Sequence, residues 1–214
     1  MGAHMIELDV HLSLEQELVV IHDRLLQRTT GHRGSVGSAP LKVLKALDAG
    51  SWFNARYRGE KIPTLEEVFA LIDNRVRLNI EIKKGLRAYP DLEKKLLDCL
   101  EGNPQNEPPL LSCFDESILQ RLRKLDANIP IGYLFERGEA DRVIRKALKL
   151  GATSVQGSAR SVTEELIANA HSEGLKVYVY TVNEQEQMRH WIGLGVNGIF
   201  TNYPDRLATL LRDT

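Results

Sequence analysis

The sequence predicts an α/β fold with a parallel sheet closed into a barrel. Three observations carry that expectation. First, apolar β-rich runs alternate with helical patterns almost to the end of the 214 residues, and repeated strand–helix units favour parallel strands. Second, several runs are nearly continuous in Val, Ile, Leu and Tyr, as expected where strands are covered on both faces. Third, polar residues recur at the ends of these runs along the whole chain, which suits the carboxyl-end mouth of a barrel. An open doubly wound sheet is the competing architecture, but no glycine-rich dinucleotide fingerprint follows the first strand.

The predicted strands cover residues 5–10, 18–22, 78–83, 109–114, 129–135, 153–156, 176–182 and 198–201. Between them lie stripes of period 3.6. Leu92, Leu96, Leu97 and Leu100 form one face; Ile118, Leu119, Leu122 and Leu125 form another. Val143, Ile144, Ala147 and Leu148 make a third, and Leu166, Ile167 and Ala170 a shorter one. Thr64 with Glu67 and Ser161 with Glu164 have capping-box spacing. Gly102, Gly151, Gly174 and Gly195 stand where helices should stop. Residues 31–40, rich in Gly and Ser, read as a surface loop. No linker or repeat interrupts the pattern, so residues 1–214 read as a single domain.

Composition narrows the function. Hydrophobic residues make up 43% and charged residues 27%, ordinary for a globular chain. The net charge is -1, so no basic surplus exists for a nucleic-acid backbone. No apolar run approaches the roughly 20 residues of a membrane helix, and the first five residues lack the basic and apolar regions of a signal peptide. The two cysteines, Cys99 and Cys113, read as buried thiols in a reduced, cytoplasmic setting.

The chemistry starts in the first strand. In Ile6-Glu7-Leu8-Asp9-Val10, period 2 puts Glu7 and Asp9 on one face and the three apolar residues on the other. Two carboxylates inside a barrel mouth repel each other and lose hydration. A hard divalent cation would relieve both costs; salt bridges to Arg or Lys are the alternative. The strand Asn79-Ile80-Glu81-Ile82-Lys83 repeats the device, placing a third carboxylate and a lysine on one face. That combination suggests a metal site beside an anion site, against an exposed Glu–Lys pair on an edge strand. The run Val19-Val20-Ile21 ends in His22-Asp23, and such a histidine can act as acid or base near neutral pH.

Here the pattern becomes specific. The segments Ile6-Glu7-Leu8-Asp9-Val10, Val20-Ile21-His22-Asp23 with Arg28-Thr29-Thr30, Asp48-Ala49-Gly50-Ser51-Trp52-Phe53 and Ile62-Pro63-Thr64-Leu65-Glu66-Glu67 open the series. Asn79-Ile80-Glu81-Ile82-Lys83, Ser112-Cys113-Phe114, Tyr180-Thr181-Val182-Asn183 and the run from Gly195 to Asn202 complete it. In this order they resemble the glycerophosphodiester phosphodiesterases, nearly end to end. The resemblance implies a (β/α)8 TIM-type barrel that hydrolyses glycerophosphodiesters to glycerol 3-phosphate and an alcohol. It implies Glu7, Asp9 and Glu81 as ligands of Mg²⁺ or Ca²⁺, and Lys83 as a phosphate contact. It implies His22 as one of two acid–base histidines, protonating the leaving oxygen or activating the nucleophile. It places Phe114 and Tyr180 on the glycerol side. Tyr180 stands where the family usually has tryptophan, and Asn202 where an aspartate is common.

The family's strand ending in His-Arg-Gly and its helix opening with Pro-Glu-Asn-Thr do not precede Glu7. His32-Arg33-Gly34 spells the tripeptide in a loop and reads as coincidence. Gly2-Ala3-His4-Met5 fits the family's lead into the metal-binding strand better than a cloning scar. The expectation is a barrel without its first β/α unit, with open edges on the first and last strands that invite a second copy. Such a chain has a competing function: a non-catalytic or oligomeric fragment that keeps the phosphate and metal pocket.

Overall fold

The computed structural model describes residues 2–85, 89 and 91–212. The chain divides into two compact units, Glu7–Pro109 and Leu110–Thr214 together with Met1–Ile6.

The first of these units carries strands β1 (Met5–Leu12) and β2 (Leu18–Val20), helices α1 (Gln27–Thr30), α2 (Leu41–Ala46) and α3 (Leu65–Ile72), then strand β3 (Arg77–Ile82) and helix α4 (Leu92–Gly102). Short 3₁₀ turns occupy Val36–Ser38 and Ala55–Tyr57. β1 lies between β2 and β3. The polypeptide reverses between β1 and β2 over residues 13–17, where the Ser13 N–H donates to the Glu17 carbonyl at 2.9 Å and the Ser13 Oγ accepts from the Glu17 N–H at 3.1 Å. A reversal this short joins only antiparallel strands. β2 accordingly pairs antiparallel with β1, Val10 opposite Val20 and Leu12 opposite Leu18, which corrects the expectation of parallel strands at this point. β2 also covers one side of β1 at Val10, His11 and Leu12, so β1 is not an open edge there.

Leu8, Val10, Leu12, Leu78, Ile80 and Ile82 are buried, while Ile6 is 42% exposed instead of packing with Leu8 and Val10. The segment expected to be a surface loop at residues 31–40 is partly core. Val36 and Ala39 pack with Val19, Ile21, Leu26, Leu44 and Ile62, and burying these side chains outweighs the segment's polar composition. The capping box at Thr64 forms as the spacing predicts, with Thr64 accepting from the Glu67 N–H and Glu67 accepting from the Thr64 N–H.

The second unit alternates strictly: β4 (Leu110–Cys113), α5 (Glu116–Leu125), β5 (Ile131–Phe135), α6 (Ala140–Leu150), β6 (Ser154–Ser158), α7 (Glu164–Ser172), β7 (Lys176–Tyr180), α8 (Gln185–Gly193), β8 (Gly198–Ile199) and α9 (Pro204–Arg212). β4 to β8 are parallel and neighbours in sequence are neighbours in the sheet. Register is pinned by apolar pairs, Leu111 with Ile131, Tyr133 with Val155, Val155 with Val177 and Val179 with Ile199. The helical stripes bury Ile118, Leu119, Leu122, Val143, Ile144 and Ala147, but Leu125 and Leu148 are 54% and 42% exposed at their edges. α7 is capped by Thr163, which accepts from the Leu166 N–H, rather than by Ser161. Ser161 instead donates to the Glu136 carbonyl. Gly151 closes α6 in the left-handed region at φ 64°, a conformation that costs glycine least.

Candidate active site

The strand alternation that predicts one polar face does place three carboxylates together. One oxygen each of Glu7, Asp9 and Glu81 lies within 4.8 Å of the others. Glu7 and Asp9 come from β1 and Glu81 from β3 beside it. Lys83, immediately after β3, bonds the Asp9 carboxylate at 3.0 Å and also bonds Glu81. The salt bridges weighed as an alternative therefore form alongside the carboxylate cluster.

With all three carboxylates ionised, as cation binding requires, one ammonium leaves two negative charges uncompensated among these four groups, the charge of one divalent cation. The Glu7 carboxyl is pushed up to about 8, first by crowding that removes its hydration and then by repulsion from Asp9 and Glu81, with Lys83 opposing. Glu7 keeps solvent on one side, so repulsion from the neighbouring carboxylates outweighs burial in this rise. Burial also raises the Glu81 carboxyl, while Lys83 and the nearby His22 lower it. Burial pulls the Lys83 ammonium down, but its bond to Glu81 and the charge of Asp9 outweigh that and leave it raised. Oxygen donors of net negative charge fit a hard divalent ion.

His22 stands in the loop after β2, its side chain 63% exposed. Its Nδ1 meets the Asp23 Oδ1 at 2.7 Å. Asp23 is in turn held by Arg28 through Nε at 2.5 Å and Nη2 at 3.0 Å. The Arg28 bond, ahead of the His22 bond, holds the Asp23 carboxyl down to about 2. A carboxylate on Nδ1 leaves Nε2 as the working nitrogen. Arg28 is braced from behind, its guanidinium 4.9 Å from the centroid of the Trp52 ring. Trp52 is set by a turn on Asp48, which accepts from the Gly50 and Ser51 N–H at 2.9 Å, the Ser51 hydroxyl at 2.6 Å and the Gly59 N–H at 3.0 Å. A Cβ at residue 50 would lie 2.0 Å from the Tyr57 carbonyl oxygen, so glycine is required there. The motif from Asp48 to Phe53 thus supports Arg28, a role that sequence spacing alone does not reveal.

His22, Asp23, Arg24, Leu25, Lys83, Lys84 and His11 line a cleft of about 390 Å³. His11 was not foreseen. It is 1% exposed, and burial pushes its ring down to about 4.

Phe114 and Tyr180 form an edge-to-face pair at 6.4 Å in the second unit. Phe200 packs on Tyr180 at 6.3 Å and on Tyr178 at 6.4 Å, two aromatic partners that the motif reading passed over. The Tyr180 hydroxyl donates to the Phe135 carbonyl at 3.0 Å. Asn202 donates its N–H to the Asn183 side chain at 3.0 Å.

The model of the glycerophosphoryl diester phosphodiesterase family matches residues 1–206. The chain belongs to this family. Among glycerophosphodiester phosphodiesterases, it is similar to that of Caldanaerobacter subterraneus subsp. tengcongensis, 38% identical over 99% of this chain and 87% of the relative. The Bacillus subtilis glycerophosphodiester phosphodiesterase is 33% identical over 96% of this chain and 75% of the relative. The solved phosphodiesterase of Oleispira antarctica, in complex with the product sn-glycerol-3-phosphate, superposes with a TM-score of 0.89 at 28% identity over 99% of this chain and 86% of that one. The fold is therefore the TIM-barrel-like fold of the glycerophosphoryl diester phosphodiesterase family.

Proposed function

We propose that the chain hydrolyses glycerophosphodiesters to glycerol 3-phosphate and an alcohol, using a divalent cation held by Glu7, Asp9 and Glu81. The observation that carries the reading is the carboxylate triad with Lys83 against it, in a chain of this family. The family match over residues 1–206 also supports reading the whole chain as one barrel domain. Hydrolysis breaks the phosphorus–oxygen bond to the alcohol, water supplies the new phosphorus–oxygen bond, and one proton passes to the leaving alkoxide.

When bound, Mg²⁺ or Ca²⁺ supplies Lewis-acid polarisation of the phosphoryl group. Lys83 contributes a second positive charge for the phosphate, released in part from Asp9 and Glu81. His22 is the acid–base group, with the proton moving at Nε2. Asp23 orients the ring through Nδ1, and Arg28 keeps Asp23 ionised across the working pH range. Phe114 and Tyr180 are assigned to the glycerol portion by the family resemblance. Their aromatic faces, with Phe114 40% exposed, support that assignment.

The test is release of glycerol 3-phosphate from a mixture of glycerophosphodiesters with Mg²⁺, with Ca²⁺ and with chelator. Release that either ion restores and chelator abolishes is the expected result, and the more effective ion identifies the cofactor. Folded protein that binds the cation yet releases nothing would sink the catalytic reading and leave a binding protein.

A further inference from the structure

We infer that His11 and Tyr89 are positioning residues for His22, pinning the main chain of its loop so that the imidazole keeps one place in the cleft. The inference rests on His22 being the acid–base group. β2 ends at Val20, and the last sheet-like bond after it runs from the Ile21 N–H to the Asp9 carbonyl at 3.0 Å. Beyond that the chain leaves the strand, and the His22 carbonyl is met by the His11 Nε2 at 3.3 Å. A carbonyl only accepts, so Nε2 carries the hydrogen. In that tautomer the Nδ1 carries no hydrogen, and the Tyr89 hydroxyl 2.9 Å away is placed to donate to it. Tyr89 thereby fixes the tautomer that His22 needs.

A histidine between the buried Val10 and Leu12 of β1 is costly without partners for both nitrogens. Both partners are present, and one of them, His22, lines the cleft. Tyr89 is itself held, its ring edge-on to His11 at 5.8 Å between centroids. A Cβ at residue 37 would lie 2.9 Å from the Tyr89 Cε1, so Gly37 leaves the space that the ring occupies. Three segments thus meet at one buried histidine, β1, the His22 loop and the Tyr89 segment, and the 3₁₀ turn Val36–Ser38 lies against Tyr89.

The test combines steady-state kinetics of glycerol 3-phosphate release with ¹⁵N NMR of histidine side chains in the folded chain without substrate. Losing one neutral hydrogen bond predicts that Tyr89→Phe lowers kcat about five-fold at unchanged KM. His11→Leu lowers kcat about 10- to 100-fold, short of complete loss of acid–base catalysis. His11→Gln keeps an N–H near the carbonyl and recovers kcat to within about three-fold of the parent. Adding Tyr89→Phe to His11→Gln then costs nothing more, because an amide has no tautomer to fix. The His22 ring resonances move in Tyr89→Phe and in His11→Leu. Equal losses in His11→Gln and His11→Leu, or a fall in Tm with kcat unchanged, would overturn the inference. Should the parent release no product, the proposed function falls, and the NMR arm still decides: unmoved His22 resonances overturn the positioning role. Parent-like turnover in His22→Ala removes the acid–base role on its own.

Discussion

At the scale of single residues, charge decides. Glu7, Asp9 and Glu81 are tolerable together only with compensating positive charge, and Lys83 supplies one unit of it. Glu7→Gln keeps the shape and removes one charge. It is expected to lower turnover by at least about 10²-fold, since charge stabilisation at a phosphoryl centre is of that size, and to weaken cation binding in calorimetry. Lys83→Met should lower activity while leaving cation binding intact or stronger, because the competing ammonium is gone. Asp23 supplies a pH dependence. Its carboxyl is held down to about 2 by Arg28 first, below the roughly 3.9 of an unfolded chain. Its contribution to stability is therefore complete above about pH 4 and is lost as pH falls through about 2. Asp23→Asn should flatten the acid limb of stability in that window, as followed by denaturant midpoints.

At the scale of elements, the periodic signals transfer well. The capping box at Thr64 forms, and Thr64→Ala should cost about 1 kcal/mol, a fall in Tm of about 2–4 °C for a chain of this size. Strand glycines tell the opposite story. A Cβ at residue 157 would lie 2.4 Å from the Phe135 Cζ and 2.8 Å from the Val162 Cγ2. Gly157→Ala should destabilise by about 1–3 kcal/mol through overpacking, measured by chemical denaturation. Nothing in the run Ser154-Val155-Gln156-Gly157 announces this, because the crowding atoms come from β5 and from the segment after β6. The buried Val36 escaped a reading based on composition for the same reason, since Val19, Ile21 and Ile62 pack with it from outside its segment; the direction of β2 was instead set by the short reversal over residues 13–17.

At the scale of the whole molecule, cation binding and folding are coupled. The carboxylates assemble from strands separated in the chain, so an ion at that site favours the folded state. At a hundred-fold excess over Kd it should add about 2.7 kcal/mol, seen as a rise in Tm that chelator reverses and Glu7→Gln abolishes. No helix among the described residues is long and apolar enough to cross a membrane.

The sequence by itself determined the alternation of strands and helices, the carboxylate face and the family, because each rests on local period or on motifs in order. Glu7 and Asp9 share a face whatever surrounds them, since successive side chains in a strand must alternate. Only the tertiary structure decided that Lys83 bridges Asp9 and Glu81, that Trp52 braces Arg28, and that His11 reaches the His22 carbonyl and Tyr89. These contacts join residues 11 to 78 positions apart in the chain in the case of His11. No local pattern records them, because burial and hydrogen-bond geometry select such partners only once the strands have paired.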